Sequence, residues 1–185
     1  AMDIVFQRGW GEEQVDSALF LLNKAVDIDP NFYLAHSNKI MMLFKKKDFD
    51  QILITNKEMQ RLSPEDPSLI IQEGLIYELK GDSLNSNLAY KKGVTKYDFM
   101  LKNDTSIGSG FKFMAIQSLV VANEEEKAKL LLAKFKKENS ENEMLQEYTF
   151  QTKKEFLEDI AEDLKVVPAS NDSKKTQNSK FNPNY

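Results

Sequence analysis

The sequence predicts an all-α chain built as an array of helical hairpins, and three observations predict it. Ala18 to Asn31 forms one amphipathic helix: two alanines seven apart, leucines and a phenylalanine between them, and a stop at Asp29-Pro30. That pattern recurs. Pro64 follows Pro30 by 34 residues (64−30), and Asp98 stands 34 further on (98−64). Ala25, Met59 and Gly93 share one register, and Ala18, Ile52 and Ser86 share another. Finally, Phe111 to Val167 contains neither glycine nor proline and carries apolar residues at helical spacing. A period of this length marks units that are each one helical hairpin.

The first unit is expected over residues 2–30. A short helical stretch at Ile4, Val5 and Phe6 is broken by Gly9 and Gly11, and Trp10 packs on the next helix, 16–28. Proline breaks a helix interior but is tolerated in a first turn, so Pro30 closes one helix and opens the next. The second unit, 31–64, places a helix over Asn31–Lys46 with Leu34, Ile40, Leu43 and Phe44 as its apolar stripe. Lys47-Asp48 turns the chain, and Phe49–Leu62 returns with Ile52, Leu53, Met59 and Leu62 inward. The third unit, 65–98, opens on Asp66-Pro67, an N-cap acid followed by proline at the first helical position. Leu69–Lys80 is its first helix, Gly81-Asp82 its left-handed turn and Leu84–Tyr97 its return.

The register then slips. Ala128 follows Ser86 by 42 residues (128−86), which places eight extra residues (42−34) between units three and four. They fall in Phe99–Gly110, whose Asn, Asp, Ser and Gly content reads as an inserted loop over 99–108. The fourth unit, 109–140, has helices Phe111–Val121 and Glu125–Lys137 around a turn at Asn123. Ser140 and Glu143 have capping-box spacing and start a last helix over 141–167, with Leu145, Tyr148, Phe156, Leu157, Ile160, Leu164 and Val167 on one side. A helix of this kind covers the exposed end of a helical array. Pro168 ends it, and residues 168–185 form a polar tail closing on Phe181-Asn182-Pro183-Asn184-Tyr185.

Composition narrows the function classes. The net charge is −4, and Arg8 and Arg61 are the only arginines, which argues against a nucleic-acid binder. The absence of cysteine removes disulfides, thiolate nucleophiles and most zinc sites. No apolar run is long enough to span a bilayer. Ala1 reads as a tag residue, and Met2 either as a true start or as a cloning scar left where a leader was removed. The compartment stays open between cytoplasmic and exported, with the clipped first unit slightly favouring export.

With the units in place, the residues resemble the tetratricopeptide repeat family over roughly residues 2–140. Unit three supplies Gly74, Tyr77, Gly81-Asp82 and Tyr90; unit two supplies Asp48-Phe49 and Pro64; unit one supplies Ala18, Ala25 and Pro30. Ile40 departs from the family's small residue, Lys39 from its leucine, and Gly93 and Phe135 from its second alanine. The resemblance implies a right-handed superhelix of three to four hairpins, small residues allowing close helix approach, and a concave face lined by the first helices that binds peptides or partner domains.

In that register the concave face presents Leu34, Ser37, Asn38 and Met41 from unit two. Unit three adds Ile71, Gln72 and Leu75, and unit four adds Phe113, Met114 and Gln117. Members that clamp a terminal carboxylate use cations where Ser68 and Gln72 stand here, and only Asn38 fits. An apolar groove edged with amides suits a segment with hydrophobic anchors. The expected function is therefore a non-catalytic adaptor for a protein or peptide partner, with no cofactor and no metal. The alternative is self-association, a homodimer included, with Phe181 and Tyr185 of the tail, or the capping helix, filling a groove of the same or a neighbouring chain.

Other candidates reduce to structural roles. His36, the only histidine, lacks a second ligand or relay partner and reads as a residue at a helix interface. Asp27 to Asn31 resembles the start of a calcium loop, but Phe32 and Asn38 stand where glycine and a bidentate glutamate are required. Gly108 to Lys112 lacks phosphate-loop spacing. The carboxylates of Glu124 to Glu126 and of Asp159, Glu162 and Asp163 read as solvated charge.

Overall fold

The computed structural model describes residues 11–103 and 107–163, and every regular element among them is an α-helix. In chain order these are α1 (Glu12–Ile28), α2 (Tyr33–Lys46), α3 (Phe49–Leu62), α4 (Pro67–Leu79) and α5 (Ser83–Asn103). They are followed by α6 (Ser109–Val121), α7 (Glu125–Glu138), α8 (Glu143–Glu147) and α9 (Lys153–Asp163). Each of α1 to α7 packs against its neighbour in sequence, and α4 also packs against α6. The hairpins therefore lie side by side in chain order.

The turns carry the repeat more faithfully than the helices do. Lys47, Gly81 and Asn123 all have positive φ, at 57°, 78° and 64°. Their spacing is 34 (81−47) and 42 (123−81), as the register predicts. Each closes its helix in the same way. The N–H after it donates five residues back, from Asp48 to Leu43, Asp82 to Tyr77 and Glu124 to Leu119, at 3.0, 2.8 and 2.8 Å. Asp48 and Asp82 then cap the next helix by accepting from the N–H of Gln51 and Asn85, both at 3.1 Å.

A second turn recurs between hairpins. Phe32 donates to Asp29 O, Asp66 to Ser63 O and Asn142 to Asn139 O, at 3.0, 3.1 and 3.1 Å. Pro30 and Pro64 occupy the second position of the first two, where a fixed φ favours the bend. The same register places a fourth such turn at 97–100, and there the chain stays helical: α5 runs on to Asn103. Asp98 stands where proline stood, so nothing interrupts the helix. The expected loop over 99–108 is thus corrected at 99–103 alone, and residues 104–106 lie outside the described residues. Residues 99–103 extend α5, and Gly108 caps α6.

Other boundaries shift for local reasons. The first helix begins at Glu12, with Gln14 Oε1 accepting from the Gly11 N–H at 2.5 Å, instead of at residue 16. The helix expected from Asn31 starts at Tyr33, because Asn31 belongs to the turn and its N–H donates to Asp29 Oδ1 at 3.0 Å. The single capping helix expected over 141–167 is two pieces. Asn142, not Ser140, caps α8, accepting from Leu145 at 3.0 Å, and Tyr148 leaves the helix in an extended conformation. Thr152 and Glu155 then cap each other reciprocally, which restarts the chain as α9. The stretch around Ile4 to Phe6, Trp10, Leu164, Val167 and the tail with Phe181 and Tyr185 lie outside the described residues.

In hairpin three (α4–α5), packing sets a glycine against a large residue at two places. A Cβ on Gly74 would lie 2.5 Å from the Tyr90 ring, so α4 meets α5 only because that position is glycine. One period earlier the same two positions hold Ile40 and Asn56, both buried, and 42 residues later they hold Ile116 and Leu132. Ile71 and Gly93 form a second such pair, with a Cβ on Gly93 meeting Ile71 Cδ1 at 2.5 Å. Its counterpart in the next hairpin is Phe113 against Phe135, with ring centroids 5.1 Å apart.

The buried residues form two clusters, and α4 serves both. Leu69 and Ile76 join Ile40, Leu43, Phe44, Ile52, Leu53 and Met59. Ile71 and Leu75 join a larger cluster that runs through α5, α6 and α7 to Leu145 and Ile160. No residue of α4 is exposed, as expected of a helix that neighbours cover on every side.

Candidate functional site

The ten residues expected on the concave face do not share one environment. On α2, Leu34 is 58 % exposed, and Ser37, Asn38 and Met41 are half-buried. These lie at offsets of three, four and seven from Leu34, so they form one face of the helix. Leu34, expected in the apolar stripe with Ile40, Leu43 and Phe44, is exposed, while Ala35, His36, Ile40, Met42, Leu43 and Phe44 make the buried side.

On α4 the picture reverses. Ile71 and Leu75 are 4 % and 6 % exposed, packed in the larger cluster instead of lining an open surface. Gln72 is half-buried, and its Oε1 accepts from Asn56 Nδ2 at 2.6 Å. Asn56 Oδ1 in turn accepts from Gln60 Nε2 at 2.6 Å, and Gln60 also reaches Glu73 Oε2 at 2.9 Å. Gln72 therefore belongs to a polar network that joins α3 to α4. On α6, Phe113, Met114 and Gln117 are half-buried, and Phe113 meets the Tyr148 ring edge-on at 5.1 Å.

The cover over α4 and α6 comes from the chain's own C-terminal part. Tyr148, Phe150, Phe156 and Leu157 pack partly buried against the larger cluster, and Leu145 and Ile160 are inside it. Lys153, at the first position of α9, is buried and places Nζ 2.8 Å from Glu78 Oε2. Glu78 also accepts from the Tyr90 hydroxyl at 2.6 Å, and Lys153 Nζ lies 4.7 Å from the centre of the Tyr90 ring. Burial, and then the Glu78 carboxylate, push the Tyr90 hydroxyl far above its ordinary pKa, so it stays protonated and donates. A buried ammonium needs such a partner, since an unpaired one costs several kcal/mol on the order of the ion desolvation penalty.

Glu78, Tyr148 and Lys153 are absent from the expected site. For Glu78 a signal was present: it stands seven residues after Ile71 and three after Leu75, on the same helix face. For Tyr148 and Lys153 no local signal exists, because their role depends on the break between α8 and α9.

The remaining candidates take structural places. His36 is buried and its Nε2 pairs with Pro30 O at 2.9 Å. Lys112 pairs with Glu138 at 2.7 Å, Glu126 with Lys129 at 2.6 Å, and Asp159 accepts from Gln151 at 2.7 Å. No helix among the described residues is long and apolar enough to cross a membrane. Comparison of the chain with protein-family models, with curated proteins and with solved structures returns no match.

Proposed function

We propose that this chain is a tetratricopeptide-like solenoid acting as a non-catalytic adaptor, which holds a segment of a partner protein along the faces of its first helices. One observation carries the reading. The left-handed turns at Lys47, Gly81 and Asn123 share one hydrogen-bond pattern at the repeat spacing, which supports reading hairpins two to four as equivalent units. In that series α4 packs directly on α6, and α2 and α4 share the smaller buried cluster. The α2 part of that row offers an apolar contact at Leu34 and Met41 and amide and hydroxyl groups at Asn38 and Ser37. Such a surface suits an extended or helical segment with hydrophobic anchors and no strong charge requirement.

The alternative, a structural module whose groove is filled from within, is favoured at α4 and α6 by the contacts of Lys153 with Glu78 and of Tyr148 with Phe113. The two readings divide the row between them. Selection of binding peptides on the full chain tests the first. Peptides selected on the wild type should lose at least about tenfold in affinity, close to 1.4 kcal/mol, on Met41→Glu or Asn38→Arg. Ile71→Glu is unsuitable because Ile71 is core. Undiminished binding by both correctly folded variants would move the function away from α2.

A further inference from the structure

The segment that covers α4 and α6 has the form of a ligand. Its helix, α9, has 11 residues, too short to be stable alone in water. Among its described side chains only Lys153 and Ile160 are buried, with Phe156 and Leu157 half-buried, and the rest are exposed and mostly charged. A non-helical stretch, Tyr148–Thr152, joins it to α8. Elements with few buried contacts open more readily than the core of a fold.

The surface underneath is built for more than a cap. It combines an aromatic contact at Phe113 with a carboxylate, Glu78, held in place by the Tyr90 hydroxyl at 2.6 Å. A simple apolar end-cap has no use for a half-buried carboxylate. Such a group costs desolvation unless a cation meets it, and so it selects the cation-bearing partner.

We propose that this α4–α6 face is a docking site for an amphipathic helix carrying a lysine or arginine in its first turn and an aromatic residue just before it. The chain's own Tyr148–Asp163 segment is the resident copy of that ligand, and a partner helix displaces it. This rests on the adaptor reading and extends it by stating the chemistry of the partner. The cation meets Glu78, the aromatic residue meets Phe113, and apolar residues one and two turns on replace Phe156, Leu157 and Ile160. The resident helix lowers the fraction of chains open to a partner, so weakening it raises apparent affinity by the same factor.

The test uses the full chain and a labelled synthetic peptide covering residues 148–163, read by fluorescence anisotropy. Lys153→Glu weakens the resident helix by setting a carboxylate against Glu78, and Tyr148→Ser weakens it without changing charge. Both variants should bind the peptide at least about tenfold more tightly than the wild type, as monomers. A peptide that itself carries Lys153→Glu should lose that gain. Equal peptide affinity for the wild type and the better-folded variant would overturn the proposal, leaving the segment a permanent cap. So would variants that dimerise by exchanging the segment between copies. Failure of peptide selection at α2 with success here would sink the adaptor reading of α2 alone, so the two outcomes stay distinguishable.

Discussion

Hairpin two (α2–α3) and hairpin three (α4–α5) occupy equivalent positions of one repeat and solve the same packing problem in opposite ways. Where hairpin three sets Gly74 against Tyr90, hairpin two sets Ile40 and Asn56 at the same two places. The bulk has moved from the second helix to the first. Where α3 ends on Ser63-Pro64, α5 passes through Tyr97-Asp98 and continues to Asn103. The outer face differs as well: Leu34 on α2 is exposed, while Ile71 and Leu75 on α4 are buried. What the repeat conserves is the hydrogen bonds of a turn. It does not conserve which member is large, or which face stays open.

The contrast can be broken at each of these points. The largest effect is expected from forcing the solution of hairpin two onto hairpin three. Gly74→Ile puts a branched side chain into the Tyr90 ring and should destabilise the chain by roughly 3 kcal/mol, the upper range for overpacking. Urea denaturation would show it, and the double variant Gly74→Ile, Tyr90→Asn should recover part of the loss. Recovery of nothing would mean the two positions are not a volume pair.

Next in size is the proline exchange. Asp98→Pro inserts proline into the interior of α5 and should cost about 3 kcal/mol. Pro64→Ala, in a turn, should cost less than about 1 kcal/mol through chain entropy alone. Equal costs would mean that the helix is already interrupted near residue 98. A smaller effect, of opposite sign, is expected at the first turn. Lys47 holds φ at 57° where hairpin three uses glycine, so Lys47→Gly should stabilise by up to about 1 kcal/mol in a thermal melt.

The smallest effect concerns an ion pair that repeats. Lys46 bonds to Asp16, and 34 residues on Lys80 bonds to Asp50, in each case from the end of a first helix to the preceding second helix. Ala122 stands at the next lysine position (80+42), and the pattern stops there. Asp50 is well exposed, so Asp50→Ala should cost less than about 1 kcal/mol and nothing measurable at high salt. A larger, salt-independent loss would show that the pair holds the hairpins in register.

The same contrast sets how much of the molecule is legible in the sequence. Helix number and order through α7 follow from the 34- and 42-residue registers, because the turn chemistry at Lys47, Gly81 and Asn123 and the caps at Asp48, Asp66 and Asp82 are local. The extension of α5 was also local, since Asp98 lacks the proline that stops α3, but the polar residues beyond it resembled a loop. The exposure of the expected face was legible only at α2. At α4 and α6 its exposure depends on the C-terminal segment folding back, through contacts between positions 35 (148−113) and 75 (153−78) residues apart in sequence. Periodicity along the chain carries no information about such contacts, and the Thr152–Glu155 capping box that makes the break was hidden within an unbroken helical pattern.

The most direct test of the central claim, that the open face of α2 is the binding surface, is to map a selected peptide onto the isotope-labelled full chain by NMR. Shift changes are expected to centre on Leu34, Ser37, Asn38 and Met41 and to spread to Gln72, with the exposed faces of α1, α3 and α7 unmoved. Shifts confined to those outer faces, with α2 silent, would contradict it.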